Sequence, residues 1–252
     1  MRTEEDRFMK KWTIICVLGL FFLINLGRPT SAQSAGDILA KMIDAQGGRE
    51  ALAKIKDTTM SGNMEMVSMG LSGTLTIYQK EPNKIRMDME FMGMVMTQAF
   101  DGETAWGLDP TTGSIQEMPE DQAENFKRTA LGYNALLNPE KLGISYNYKG
   151  KETIEGKEYH LLEQSFEDGF SSTMYVDAKT FLVFKIKQKA PNLMGGFEVD
   201  QEVFSSDYRK VEGIMIPFET KIMQDGEEVL TMSFTEVTFN TGLEDSFFKK
   251  EE

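Results

Sequence analysis

The feature that most constrains this chain is the alternation of apolar and polar side chains from Leu71 to Pro110. Leu75 and Ile77 alternate with threonines. Ile85, Met87, Met89 and Phe91 alternate with Arg86, Asp88 and Glu90, and Met94, Met96 and Phe100 keep the same beat. Strand side chains switch faces at every residue, so a period of two sorts the apolar members onto one side of a sheet. Asp101-Gly102 turns the chain before Thr104-Ala105-Trp106. The stretch reads as a meander of four short strands, with a methionine- and aromatic-lined face opposite a charged one.

The flanking segments extend this plan. Ile38, Leu39, Met42 and Ile43 recur at helical spacing, with Asp37 as a cap and Gly47-Gly48 as the end. Arg49 to Ile55 reads as a second short helix with Leu52 and Ile55 inward. From Thr58 the period becomes two, through Met60, Met64 and Met66, and Gly70 turns the chain. Ser114 to Met118 is one more strand. Pro119 to Leu131 then has helix formers, a proline in its first turn and acids at its start. Tyr133 to Leu137 continues it and Pro139 closes it. The insertion carries Phe126, Leu131, Leu136 and Leu137 as its apolar members. Strand patterns resume from Tyr146 to Phe239, punctuated by Glu155-Gly156, Asp168-Gly169, Glu212-Gly213 and Asp225-Gly226. No linker rich in proline or serine divides the halves. The expectation is one domain over residues 33–252, mainly antiparallel β with α.

The amino terminus has a different composition. Lys10 and Lys11 precede the apolar run Trp12 to Gly27, and Thr30-Ser31-Ala32 supplies small residues. Basic, then apolar, then small is the layout of a secretory signal, so residues 1–32 are expected to be a signal peptide cleaved after Ala32. The run falls short of the roughly 20 apolar residues that span a bilayer. Cleavage would take five basic and three acidic residues, moving the formal charge from −13 to −15. Such an acidic excess repels phosphate backbones and anionic membranes, which argues against a nucleic-acid partner. The single cysteine, Cys16, lies inside the signal, and Ile15 before it is not the small residue a lipoprotein signal needs. The exported chain is expected to be soluble, unacylated and without disulfides.

Signals for catalysis are sparse. His160 is the one histidine and sits mid-strand, with no second histidine to build a metal set. The chain has no G-x-S-x-G elbow and no phosphate-binding glycine loop, and Gly195-Gly196 reads as a turn. The acids alternate along strands or stand beside turn glycines, which are solvated placements. No catalytic residue, metal or cofactor is expected. Methionine is the unusual component: of 18 in the chain, Met87, Met89, Met92, Met94 and Met96 fall within ten residues. One reading is a plain sheet core. The other is an adaptable apolar surface, since unbranched, polarisable methionine re-packs around varied partners. Copper capture is a weaker alternative, because strand alternation spreads the sulfurs along a ladder.

Pro82-Asn83-Lys84-Ile85-Arg86, followed by Asp101-Gly102-Glu103-Thr104-Ala105-Trp106 and Asp109-Pro110, resembles the periplasmic lipoprotein carriers of the LolA/LolB-like superfamily. The match covers about forty residues. The resemblance implies an incomplete, half-open β-barrel with a leading helix and a helical lid over a cavity for lipoprotein acyl chains. It also implies docking with an inner-membrane transporter and an outer-membrane acceptor. LolA-type carriers have an arginine just before the motif proline, which hydrogen-bonds the lid; Glu81 stands there in this chain. The expected ligand-binding residues are Leu75, Ile77, Met87, Met89, Phe91, Met94, Met96 and Trp106, with Phe126, Leu131, Leu136 and Leu137 in the lid. Two alternatives remain open: an envelope-stress sensor of the same fold holding a lipid or peptide as a signal, and an enzyme working through a buried carboxylate pair.

Overall fold

The computed structural model describes residues 34–109, 112–193, 195 and 197–250. The expected signal peptide lies outside the described residues. The chain enters through helix α1 (Ala35–Gln46), whose N-cap is Ser34. The Asp37 side chain accepts from the Ser34 backbone N–H while Ser34 Oγ accepts from the Asp37 N–H, both at 3.1 Å. Asp37 is therefore the third-position partner in a capping box and not the cap itself. The short helix α2 (Arg49–Leu52) follows.

Thirteen strands form one antiparallel sheet: β1 (Asp57–Met66), β2 (Leu71–Lys80), β3 (Lys84–Phe91), β4 (Met94–Phe100), β5 (Ala105–Leu108), β6 (Ile115–Glu117), β7 (Ser145–Ile154), β8 (Lys157–Ser165), β9 (Ser171–Asp177), β10 (Val183–Pro191), β11 (Glu198–Val211), β12 (Ile214–Gln224) and β13 (Glu227–Phe239). Their order across the sheet is β6-β5-β4-β3-β2-β1-β13-β12-β11-β10-β9-β8-β7. Two meanders, each wound from its neighbour, thus join through the first and last strands. The sheet does not close: β6 and β7 remain its two edges, which makes the architecture a half-open barrel.

Four of the connections are two-residue turns with both residues at positive φ, at Met92-Gly93, Glu155-Gly156, Glu212-Gly213 and Asp225-Gly226. This turn matches the right-handed twist of the strands it joins. Asp168-Gly169 differs from its expected place in such a turn. It sits in a longer loop, Phe166 to Phe170, where Asp168 Oδ1 accepts from the Phe170 N–H at 2.8 Å.

Among the described residues, the long helical excursion from the sheet lies between its two edges. Helix α3 (Glu120–Ala130), helix α4 (Asn134–Leu137) and the 3-10 turn Pro139–Leu142 carry it from β6 to β7. A connection between opposite edges of a curved open sheet must cross the opening. The lid therefore follows from topology: α3 packs on β3, β4 and β5 from one half and on β10 from the other. Pro119 lies one residue ahead of α3, at its N-cap, and Leu131 lies just past its end.

Apolar burial falls into three clusters. Ile43 and Leu52 of the leading helices and Ile55 just beyond them pack with Leu75, Phe91, Ile216, Phe218, Phe234 and Val237 from the sheet. Ile38 and Met42 pack with Leu162, Met174 and Val176. Ile85, Phe100 and Ala105 pack beneath Ala130 of α3. Leu136 touches the first two clusters and ties the halves together.

Candidate ligand cavity and its lid

Cross-strand pairs in an antiparallel sheet share a face, so the register decides which meander residues point inward. Met60, Ile77 and Met87 form one row across β1, β2 and β3, and Leu75, Met89 and Met96 form another. Both rows belong to the cluster that contains Tyr133, Leu136 and Leu137 of the lid. Leu75 and Phe91 are buried there, while Ile77, Met87, Met89 and Met96 are partly covered. Met94 is 51% exposed at the rim beside the Met92-Gly93 turn, where no roof reaches it.

Trp106 is on the other face. Its register partner is Ala99, which pairs with Arg86, which pairs with Tyr78. Ala105, not Trp106, faces inward opposite Phe100. The turn at Asp101-Gly102 resets the parity: Asp101 Oδ1 accepts from the Glu103 and Thr104 N–H groups at 2.9 and 2.8 Å, and pairing resumes one residue later than the alternation predicts. The buried indole donates to the Phe248 carbonyl at 2.9 Å. Arg86 donates to the Phe247 carbonyl at 3.0 Å, pairs with Asp88 at 3.0 Å and covers the Phe247 ring. Thr97 Oγ1 completes the Asp88 carboxylate at 2.7 Å. The motif residues Arg86 and Trp106 therefore clamp the carboxy-terminal 3-10 turn Asp245–Phe248 to the outside of the meander. Pro82 is the middle residue of the β2–β3 turn, and Asn83 lies beside Gly102 at the same end of the sheet.

The lid is pinned from both halves. Gln79 Nε2 reaches the Thr129 and Ala130 carbonyls at 3.5 and 3.4 Å, and Glu81 Oε1 accepts from the Tyr133 N–H at 3.2 Å. Arg49 donates to the Leu137 carbonyl at 2.7 Å and Tyr146 to the Ala135 carbonyl at 3.3 Å. Glu81 thus touches the lid from the position where the resemblance places an arginine, as an acceptor instead of a donor. Burial pushes its carboxyl up to about 7, although the Tyr133 N–H favours the ionised form. The Tyr133 phenol is raised by its own burial and then by the Glu81 charge.

Beneath α3 and α4 lies a cavity of about 410 Å³, within the usual range for small-molecule sites of roughly 300–1,000 Å³. Met42 and Gln46 of α1 form one wall; Met174, Val183, Ile186 and Val203 of β9 to β11 form the floor; Leu136 and Ala135 form the roof; Phe166 and Phe170 stand at the loop end. Of the residues expected from sequence to line a cavity, Leu136 does so here. Phe126 lines a smaller recess of about 190 Å³ with Met118 and Leu193. Leu131 is half-buried, and Leu137 packs in the first cluster. The meander residues are not in the wall of the larger cavity because α1, α2 and α4 already fill the concavity over them. The second half of the sheet supplies the open space.

Arg128 of α3 also lines this cavity. Its Nη1 donates to Asp168 at 2.7 Å and its guanidinium covers the Phe170 ring, with 4.0 Å from Cζ to the ring centroid. Its Nε is buried without an acceptor. Leaving a buried donor unpaired costs about 1–3 kcal/mol, more for a charged group. The strand pattern alone could not single out Arg128, which reads as one basic residue in the last turn of a helix.

Other polar groups are committed elsewhere. His160 is buried under α1, with Tyr148 Oη 3.2 Å from its Nδ1 and Phe181 stacked on its ring. Burial, then Lys151, holds its pKa below the usual value. Asp57 is buried but accepts from Thr241 and Gly242, closing the chain end against β1. A depression of about 720 Å³ over β10 to β12 is lined by charges that pair with each other, including Lys189 with Asp200 at 2.7 Å. Among the described residues no group of three or more His, Cys, Asp and Glu side chains is placed to hold a metal, and no helix is long and apolar enough to cross a membrane.

This architecture is that of LolA-like proteins. A LolA superfamily protein from Nitrosomonas europaea superposes with a TM-score of 0.60 at 13% identity, covering 86% of this chain and 98% of that one. A putative outer membrane lipoprotein-sorting protein domain from Vibrio parahaemolyticus gives 0.57 at 13% identity, over 86% and 96% of the two chains. A DUF1329 family protein from Desulfovibrio piger gives 0.58 at 12% identity, over 85% and 97%. Identities this low establish the shared fold. No protein-family model matches the chain, and no curated protein matches it.

Proposed function

We propose that this protein is an exported, non-enzymatic carrier or binding protein that holds acyl chains of lipoproteins or other apolar ligands. The observation that carries this reading is the cavity of about 410 Å³ between the curved sheet, α1 and the pinned lid. Each methylene moved from water into such a space gains about 0.8 kcal/mol, so an apolar cavity retains a chain without covalent chemistry. In this reading residues 1–32 are a signal peptide, residues 33–252 act as a single domain, and the periplasm is the working compartment. The acidic exterior keeps the loaded carrier off anionic lipid until a docking protein in either membrane engages it. The ligand wall is the β9 to β11 floor and the lid, with Leu75, Met87 and Met89 as the packed support on which the lid rests.

The test is native purification of the exported protein, identification of co-purifying lipids or lipoproteins by mass spectrometry, and uptake of an uncharged fluorescent apolar probe. Recovery of a stoichiometric acyl ligand, with the probe displaced by it, is the expected result. Absence of both a co-purifying ligand and probe uptake would overturn the carrier reading and leave a structural or signalling role.

A further inference from the structure

We infer that the cavity under the lid takes a single-chain lipid with an oxyanion head, the head bound by Arg128 and the chain by Met42, Leu136, Met174, Ile186 and Val203. This rests on the carrier reading and adds to it the charge of the ligand and the direction in which it lies. Three observations converge on it. Arg128 is the one charged side chain lining this space, whose exposed lining is mainly apolar although Gln46, Asn125, Thr129, Gln164, Ser172 and Gln188 also reach it. Its Nε–H is buried with no acceptor, although Asp168 and the Phe170 ring fix the rest of the guanidinium. A guanidinium presents Nε–H and a neighbouring N–H as a two-donor edge that fits a carboxylate or phosphate oxygen pair.

The geometry also explains why the arginine is held and not free. Asp168 takes Nη1, and stacking on Phe170 orients the plane, so the orientation of the remaining edge is fixed. A neutral ester or amide, the linkage of acyl chains in a lipoprotein, offers a carbonyl to this edge but no charge. A free fatty acid or a single-chain phosphate ester offers an oxyanion. Charge-assisted bonds are about twice as strong as neutral ones, so a partly buried guanidinium discriminates between these classes.

The experiment measures competition of dodecanoate, dodecyl phosphate and dodecanol against an uncharged fluorescent probe bound to the purified protein. The expected result is at least tenfold tighter binding of an oxyanion-headed chain than of dodecanol. Arg128→Gln should remove that preference, bringing dodecanoate and dodecyl phosphate to within about twofold of dodecanol measured on the same variant. Whichever of dodecanoate and dodecyl phosphate binds tighter identifies the source of the head. Equal affinities of all three for the unmodified protein would overturn the inference while the carrier reading stands; no binding of any would bring down both. Because Arg128 also anchors the lid, two further variants keep the test decisive if Arg128→Gln fails to fold. Asp168→Asn should strengthen dodecanoate binding severalfold by removing a competing negative charge while Phe170 still orients the guanidinium plane, and unchanged or weaker binding counts against the proposal. Val203→Trp fills the floor and should abolish binding of all three, so retained dodecanoate binding would place the site elsewhere and overturn it.

Discussion

The indole of Trp106 donates to the backbone carbonyl of Phe248 across 142 residues of sequence, at 2.9 Å. Phe248 is fully buried, so this bond and the Arg86 bond to the Phe247 carbonyl seal the chain end onto the outer face of β3 to β5. Residues that look like cavity lining in the motif hold the scaffold from behind.

Trp106→Phe should keep most of the packing and lose the hydrogen bond, costing about 1 kcal/mol in urea unfolding. Trp106→Ala should cost about 3–5 kcal/mol. Both should leave apolar-ligand affinity within twofold in the folded population. A large affinity loss at unchanged stability would show that the indole reaches the ligand after all.

Glu81 gives the lid a pH dependence. Its folded pKa, about 7, lies above the unfolded value near 4.5, so the folded state binds the extra proton between those values. Stability is therefore fully present below about pH 4.5 and falls as pH rises through 7. The loss is about 1–2 kcal/mol, reduced by the solvent that screens the exposed edge of the side chain. His160 acts in the opposite sense, since its depressed pKa removes stability as pH falls. The difference between the native chain and Glu81→Gln isolates the carboxyl. The two should be equally stable at pH 4.5, and Gln should be the more stable at pH 8. Parallel pH profiles in denaturant melts would refute the assignment.

Gly132 lies in the turn between α3 and α4. Its φ is +49°, and a Cβ there would stand 2.2 Å from Gln79 Nε2 and 2.9 Å from Glu81 Oε1. Gly132→Ala should strain the backbone and push out the two side chains that pin the lid, costing about 1–3 kcal/mol. Amide exchange should rise across residues 120–137 more than in β11 to β13. Uniform exchange over the molecule would mean that the lid does not open as a separate unit.

Met89 and Met174 separate support from ligand wall. Met89 packs in the cluster under the lid, while Met174 lines the cavity. Truncating Met89 to alanine should cost about 2 kcal/mol of stability with little change in probe affinity; truncating Met174 should change probe affinity severalfold. The reverse pattern would return the ligand to the meander, where the alternation first places it.

Much of the architecture is legible from local pattern. The four strands between Leu71 and Leu108, the leading helix and the inserted helices fall where periodicity places them, because the faces of strands and helices sort by side-chain spacing alone. Three of the four two-residue turns are visible as an acid followed by glycine; Met92-Gly93 is disguised by an apolar first residue. Errors occur where a loop intervenes. The strand parity of Trp106 depends on the four residues from Asp101 to Thr104, and an Asx turn of that length shifts the face by one.

The sequence by itself determined a four-strand meander with one methionine- and leucine-bearing face, a second run of antiparallel strand patterns, and a helical insertion between them. Those are consequences of spacing, turn chemistry and composition within a few residues. Tertiary structure alone decided which apolar surface is filled and which is open. Pairing of β1 with β13 leaves β6 and β7 as distant edges, so the insertion must cross the mouth. The helices then occupy the methionine face and leave space over β9 to β11, beside Arg128. Spacing along the chain cannot report this, because vacancy depends on how much volume elements far apart in sequence bring to one place.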